Sequence, residues 1–219
     1  LYKCFDEGIV NCRDHVVRLM QKLGNKEKNV IPVRNIEITV DKETGVITMM
    51  NDGNGVDIAK HPDNDLWIPE MIFGHLRTST NYKKDEKKIV GGKNGFGFKL
   101  VLIYSKWGEI ETVDHVRKQI YKQRFENNLT DILSPIVKKS KSKPYTKVSW
   151  LPDYERFGIS KLTDDMFNLF KKRTFDIGVV TDKSVKVKFN GEAVPNKNFE
   201  QYMDIYIGSK EETDRVYET

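Results

Sequence analysis

Through residues 1–23, Phe5, Ile9, Cys12, Val16, Leu19 and Leu23 recur at steps of three and four. That spacing draws one apolar stripe along a helix, and Gly24-Asn25 supplies its stop. A helix with such a stripe has to bury it on a second layer. The chain offers that layer at once. Residues 35–40 (Asn-Ile-Glu-Ile-Thr-Val) alternate as a strand, residues 46–50 follow as another, and Lys42-Glu43-Thr44-Gly45 between them predicts a hairpin.

The rest of the chain keeps mixing the two periods. A loop over 51–66 leads to a short helix over 68–77, then to a polar, glycine-rich stretch over 78–97 without a clear period. A helix over 98–104 precedes strands at 107–113, 117–125, 130–137 and 145–151, with an exposed basic loop at 138–143. A second clear helix spans 163–178, its apolar face made by Met166, Leu169, Phe170 and Phe175. A strand over 184–189, a turn at Asn190-Gly191 and a last helix over 198–206 complete the pattern. Helices and strands alternate without the regularity of βαβ units and without internal repeats, so the fold class is α+β.

Composition narrows the setting. A chain of 219 residues, 38% hydrophobic, suits one large domain with a real core. Its net charge of +5 permits an anionic partner without requiring one. Cys4 and Cys12 stand at helical spacing and form neither a disulfide framework nor a zinc pattern. That usage fits an intracellular, reducing compartment. No apolar run approaches the roughly 20 residues of a membrane span, so no membrane partner is expected. The chain starts at Leu1, and we expect a fragment of a longer protein.

Four groups of residues carry possible chemistry. Glu7 and Asn11 stand one turn apart on the first helix, with Asp14 nearby, roughly opposite the stripe of Phe5 and Cys12. A carboxylate there can take a proton from water, and an amide oxygen one turn on can ligate Mg2+. After the second strand comes Asn51-Asp52-Gly53-Asn54-Gly55. Gly53 and Gly55 allow a tight turn and the close approach of a ring, and a side-chain oxygen at the strand end can accept a purine amino group.

Ser79, Thr80 and Asn81 offer hydroxyls and an amide for ribose or phosphate. The segment Gly91-Gly92-Lys93-Asn94-Gly95-Phe96-Gly97-Phe98-Lys99 frees its amides to wrap an anion at the start of a helix, with Lys99 within reach of a terminal phosphate. It is not a Walker loop, which needs Gly-Lys-Ser/Thr, and it lacks the third glycine of a dinucleotide fingerprint. Each feature alone has an ordinary structural reading. Their order is the informative part.

That order resembles the split-mononucleotide ATPase superfamily of gyrase, the ninety-kilodalton heat-shock chaperone, sensor histidine kinases and the MutL proteins. Over nearly the whole chain it most resembles the eukaryote-type topoisomerase II branch. The resemblance is carried by Leu1-Tyr2-Lys3-Cys4-Phe5-Asp6-Glu7, Ile68-Pro69-Glu70-Met71-Ile72-Phe73-Gly74-His75-Leu76, Asp85-Glu86-Lys87-Lys88 and the glycine segment. Pro144-Tyr145-Thr146-Lys147-Val148 and Phe189-Asn190-Gly191 add to it.

The resemblance implies a two-layer sandwich of helices on a mixed sheet, the Bergerat-type ATP-binding fold. It implies ATP and Mg2+ as cofactors, Glu7 as the general base, Asn11 as the metal ligand and Asn51 as the adenine contact. Ser79, Thr80 and Asn81 become ribose and phosphate contacts. Gly92, Lys93, Asn94, Gly95, Phe96 and Gly97, with Phe98 and Lys99, become a lid over the phosphates, and Thr146 an adenine-edge contact through water. The partners implied are a second copy of the domain, joined on ATP binding as a gate, and double-stranded DNA bound by the full-length enzyme. The location implied is intracellular and nuclear, with viral or cytoplasmic sites as alternatives.

The chain departs from the family pattern at three places. Gly8 stands where a larger apolar residue is usual, Arg13-Asp14-His15 replaces Ala-Asp-Asn, and Phe98 replaces a small Ala. The expected fragment lacks the N-terminal arm, the transducer with its γ-phosphate lysine, and the DNA-cleaving core. Two rival readings are a chaperone or mismatch-repair ATPase of the same superfamily, and a non-catalytic nucleic-acid-binding domain using Lys138, Lys139, Lys141 and Lys143.

Overall fold

The computed structural model describes residues 1–62, 65–75, 97–196, 198–208, 211, 214 and 216. The alternating segments of the chain meet in one mixed sheet whose apolar face is covered by helices. The first strands are β1 (Asn35–Val40) and β2 (Ile47–Asp52), paired antiparallel as the hairpin signal requires. Then come β3 (Ser105–Asp114), β4 (Gln119–Glu126), β5 (Asp131–Ile132), β6 (Ile136–Lys139), β7 (Tyr145–Pro152), β8 (Lys186–Phe189) and β9 (Glu192–Ala193). The spatial order is β5-β4-β3-β7-β2-β1-β8-β9, with β6 paired to β4 beyond the path. Only the β1–β8 pairing is parallel among the described residues.

Three expectations change. The segment over 130–137 is not one strand but two, β5 and β6. Pro135 falls between them; it has no N–H to donate and interrupts the ladder. The basic segment is therefore not all loop. Lys138 and Lys139 end β6, in register with Ile120 and Gln119 of β4. Strand β2 runs past Met50 to include Asn51 and Asp52, because β7 continues to pair with it there.

Helix α1 (Tyr2–Gly24) lays Phe5, Ile9, Cys12, Val16 and Leu19 on the sheet, all buried. Its neighbours are α3 (Gly97–Ile103) on one side and α4 (Asp164–Val180) on the other. Phe5 stacks on Phe170 of α4 with centroids 4.2 Å apart, a pair worth about 1 kcal/mol beyond its burial. Thr163 caps α4 by accepting from Met166 N. The short α2 (Ile68–Gly74) carries Pro69 in its first turn, and α5 (Phe199–Ile207) packs against α4.

Gly8 explains how closely α1 approaches the sheet. A Cβ there would come 2.7 Å from Met49 Sδ and 3.2 Å from Trp150 Cη2. The room left by the missing side chain is filled by those two buried residues. The opposite face of the sheet is polar and laced by ion pairs: Lys188–Glu37 at 2.9 Å, Lys147–Glu111 at 2.8 Å and Lys122–Glu109 at 3.0 Å.

A candidate nucleotide site between the first helix and the sheet

Helix periodicity puts Glu7 on the side of α1 that faces α3. Its two carboxylate oxygens have different surroundings. Oε1 lies 3.0 Å from Lys3 Nζ, one turn earlier. Oε2 lies against Gly97, the first residue of α3, so closely that a Cβ at 97 would collide with it. Asn11 follows one turn later and is exposed. Asp14, grouped with them in the sequence, is instead buried at 3% exposure with Arg13 Nη1 at 3.8 Å. Helix α1 is packed on several sides, so its polar residues do not share one solvent face.

Asn51 stands near the end of β2. It is 6% exposed and neighbours the Cys12 thiol on α1, whose ionised form its amide favours. Burial pushes that thiol up to about 11. The remaining amide oxygen, Oδ1, is buried and has no hydrogen-bond partner among the described residues. A buried acceptor left unmade costs on the order of 1–3 kcal/mol. Thr146 is the register partner of Asn51 across β2 and β7. Its Oγ1 lies 3.0 Å from that of Thr112, which also donates to Tyr145 O and accepts from Val56 N.

The glycines after β2 serve the chain itself. Gly53 has φ +99, and a Cβ on it would press on Val33 and Leu19. A Cβ on Gly55 would strike the carbonyl of Val113. In both cases the atoms that a Cβ would meet belong to the protein itself. Asp52 ties the start of β1, accepting from Arg34 N at 2.6 Å and from Asn35 N and Nδ2 at 2.7 Å.

Lys99, in the first turn of α3, is 2% exposed, and burial lowers its pKa. Phe98 turns to the aromatic cluster, edge-on to Phe73 at 5.4 Å and Trp150 at 5.5 Å. The large residue in place of Ala is thus absorbed by packing. His15 donates from Nε2 to Asn54 O at 2.7 Å and braces the loop after β2. Ser79, Thr80, Asn81, Gly92, Lys93, Asn94, Gly95 and Phe96 lie outside the described residues.

Sequence reasoning missed Lys3, Asp6, Arg173 and Thr112. The Lys3–Glu7 spacing of four was legible on a helix. The Asp6–Arg173 and Thr112–Thr146 contacts join distant parts of the chain and left no local pattern.

An α+β sandwich that brings a carboxylate, an orphaned strand-end amide and Gly97 of α3 against one helix is the arrangement expected of a split-mononucleotide ATPase. No family model matches the chain. It is 44% identical to DNA topoisomerase 2 of Acanthamoeba polyphaga mimivirus over 207 residues, 94% of this chain and 15% of that protein. It is 41% identical to DNA topoisomerase 2 of Arabidopsis thaliana over 210 residues, 95% of this chain and 14% of that one.

The solved ATPase region of Saccharomyces cerevisiae topoisomerase II superposes with a TM-score of 0.86 at 38% identity, covering 96% of this chain and 53% of that chain. Over nearly its whole length the chain is similar to part of the ATPase region of type II DNA topoisomerases. It spans about one seventh of the curated relatives it matches and about half of the solved region. The chaperone and mismatch-repair alternatives are not favoured by these comparisons.

Proposed function

We propose that this chain binds Mg-ATP and hydrolyses it, as the ATPase region of a longer enzyme that passes one DNA duplex through another. The observation that carries the reading is the pair formed by the Glu7 carboxylate, one oxygen held and one turned to Gly97, and the unpartnered Oδ1 of Asn51. An N–H donor satisfies that oxygen. The amino group of adenine supplies one, whereas the corresponding position of guanine is a carbonyl, so ATP is preferred over GTP.

Glu7 Oε2 accepts the proton of a water that attacks the γ-phosphate in line. The protein's work is otherwise positioning and charge neutralisation. Lys99 adds positive charge at the start of α3, and Thr146 holds the adenine edge through water. Ser79, Thr80, Asn81 and Gly92 through Phe98 contact ribose and phosphates as the resemblance implies. Asn11 is the residue to hold magnesium. One protein ligand suits an ion that keeps several waters and substrate phosphates, and no cluster of three or more His, Cys, Asp or Glu among the described residues offers a cage. When bound, Mg2+ supplies charge neutralisation on the triphosphate.

In the longer protein, ATP binding joins two copies of this region as the N-gate, and DNA is the substrate of the whole enzyme. The setting is intracellular and nuclear, with a viral or cytoplasmic site as the alternative. No helix among the described residues is long and apolar enough to cross a membrane.

The test is magnesium-dependent ATP binding and turnover of the full-length protein, with and without DNA, repeated on Glu7→Ala. Binding should persist while turnover falls by at least about 100-fold. Undiminished turnover removes Glu7 from its role, and indifference to DNA removes the duplex-passage reading.

A further inference from the structure

Glu7 is the near end of a chain of charged contacts that leaves α1 and crosses to α4. Lys3 Nζ reaches Glu7 Oε1 and Asp6 Oδ2, each at 3.0 Å. The other oxygen of Asp6, Oδ1, accepts from Nε of Arg173 at 2.8 Å and forms an ion pair with its Nη2 at 2.8 Å. Asp176 stands behind, its Oδ2 3.8 Å from Arg173 Nη1 and 2.9 Å from Lys172 Nζ, while its Oδ1 accepts from Tyr202 of α5 at 2.7 Å.

The members differ in how they are held. Lys3 is the loose one, 74% exposed at its side chain. Left alone, such a lysine samples many rotamers, and its contact with Glu7 would be weak and screened. Asp6 and Arg173 are mostly buried, at 16% and 24%. The Arg fork engages Asp6 from α4, and the hydrophobic packing of Phe5 on Phe170 fixes the spacing of the two helices beside it. Asp6 therefore presents a stationary oxygen to the Lys3 ammonium. Pinned on one side by Asp6, the ammonium lies 3.0 Å from Glu7 Oε1.

From this geometry we infer that Arg173 is a positioning residue for the water-activating carboxylate, acting through Asp6 and Lys3. This rests on the role proposed above for Glu7. A general base needs one oxygen aimed at the water and a carboxylate that does not roll between rotamers. The Lys3 contact occupies Oε1 and leaves Oε2 facing Gly97. Arg173 touches neither nucleotide nor water. Its effect is to hold the device that fixes the roll of Glu7. The same contacts place α4 and α5 in line with the site, so a shift of α4 against α1 would loosen the base.

The experiment compares ATP turnover by the full-length protein and its variants Arg173→Gln, Arg173→Lys, Lys3→Met and the Arg173→Gln/Lys3→Met double, with Glu7→Gln as reference. Arg173→Gln should lower kcat by about 5- to 10-fold with KM for ATP changed less than about twofold, since orientation and not binding is lost. Arg173→Lys, which keeps one charged donor, should recover most of the loss.

Because Arg173 acts through Lys3, the double variant should turn over no more slowly than Lys3→Met alone. Lys3→Met changes an exposed side chain, so it reports on the relay even where Arg173→Gln weakens folding. Full kcat in Arg173→Gln, a rise in KM without a fall in kcat, or additive losses in the double variant would each overturn the relay. Full turnover in Glu7→Gln would instead overturn the reading of Glu7 itself, and the relay with it.

Discussion

Gly97 and Glu7 share a space that has no room for one more carbon: a Cβ at position 97 would fall on Oε2 of the carboxylate. Gly97→Ala must therefore displace the end of the Glu7 side chain. That end is flexible, so the fold should tolerate the change with a melting temperature shifted by a few degrees at most. A base moved by about 1 Å costs turnover on the order of 10- to 100-fold. Steady-state ATP hydrolysis beside a thermal melt checks this, and wild-type turnover would separate Glu7 from the chemistry.

Gly8→Ala sets two effects against each other. Alanine is worth about 1 kcal/mol over glycine inside a helix. Yet the new methyl would sit 2.7 Å from Met49 Sδ and 3.2 Å from Trp150 Cη2, both fully buried. Overpacking a filled core costs about 1–3 kcal/mol, so net destabilisation of roughly 1 kcal/mol is expected. Urea unfolding measures it; a more stable variant would mean that Met49 has somewhere to go.

His15 makes stability depend on pH. Burial first, and then the charge of Arg18, lower its pKa from 6.5 to about 4. The unfolded chain takes up a proton as pH falls below 6.5, whereas the folded chain refuses it until about 4. Stability is therefore fully present above 6.5 and declines as pH falls through that interval. The loss is roughly 2–3 kcal/mol by linkage. Unfolding free energies at pH 7.5 and 4.5 should show the fall, and His15→Gln, which can still donate to the Asn54 carbonyl, should flatten it. An equal fall in both proteins would assign the dependence elsewhere.

Thr112→Val keeps the shape and removes the hydroxyl that joins Val56 N, Tyr145 O and Thr146. Thr112 is fully buried, so its partners are left without water. A loss of about 1–3 kcal/mol is expected, together with weaker ATP binding, because Thr146 and the Gly55-Val56 turn lose their common anchor. Calorimetry with ATP and a denaturation curve test both; unchanged affinity would show that Thr146 is held by its strand alone.

Much of this was legible along the chain because it is local. The stripe from Phe5 to Leu19 is a helix wherever it is placed, and the alternation at 35–40 is a strand with one apolar face. The Asn190-Gly191 turn formed as read, both residues at positive φ. Strand interruption at Pro135 was missed although its cause is a single residue, because alternation on either side of it masks the missing donor.

By itself, the sequence determined the periodicities, the turns and the order of the chemistry-bearing residues, since each depends on near neighbours and covalent geometry. Tertiary structure alone decided which of them meet. Asn51 and Thr146 became neighbours through the pairing of β2 with β7, and Asp6 found Arg173 because α1 and α4 share a core. Contacts between residues so far apart depend on how the layers close over buried apolar surface, and no short window of sequence contains that information.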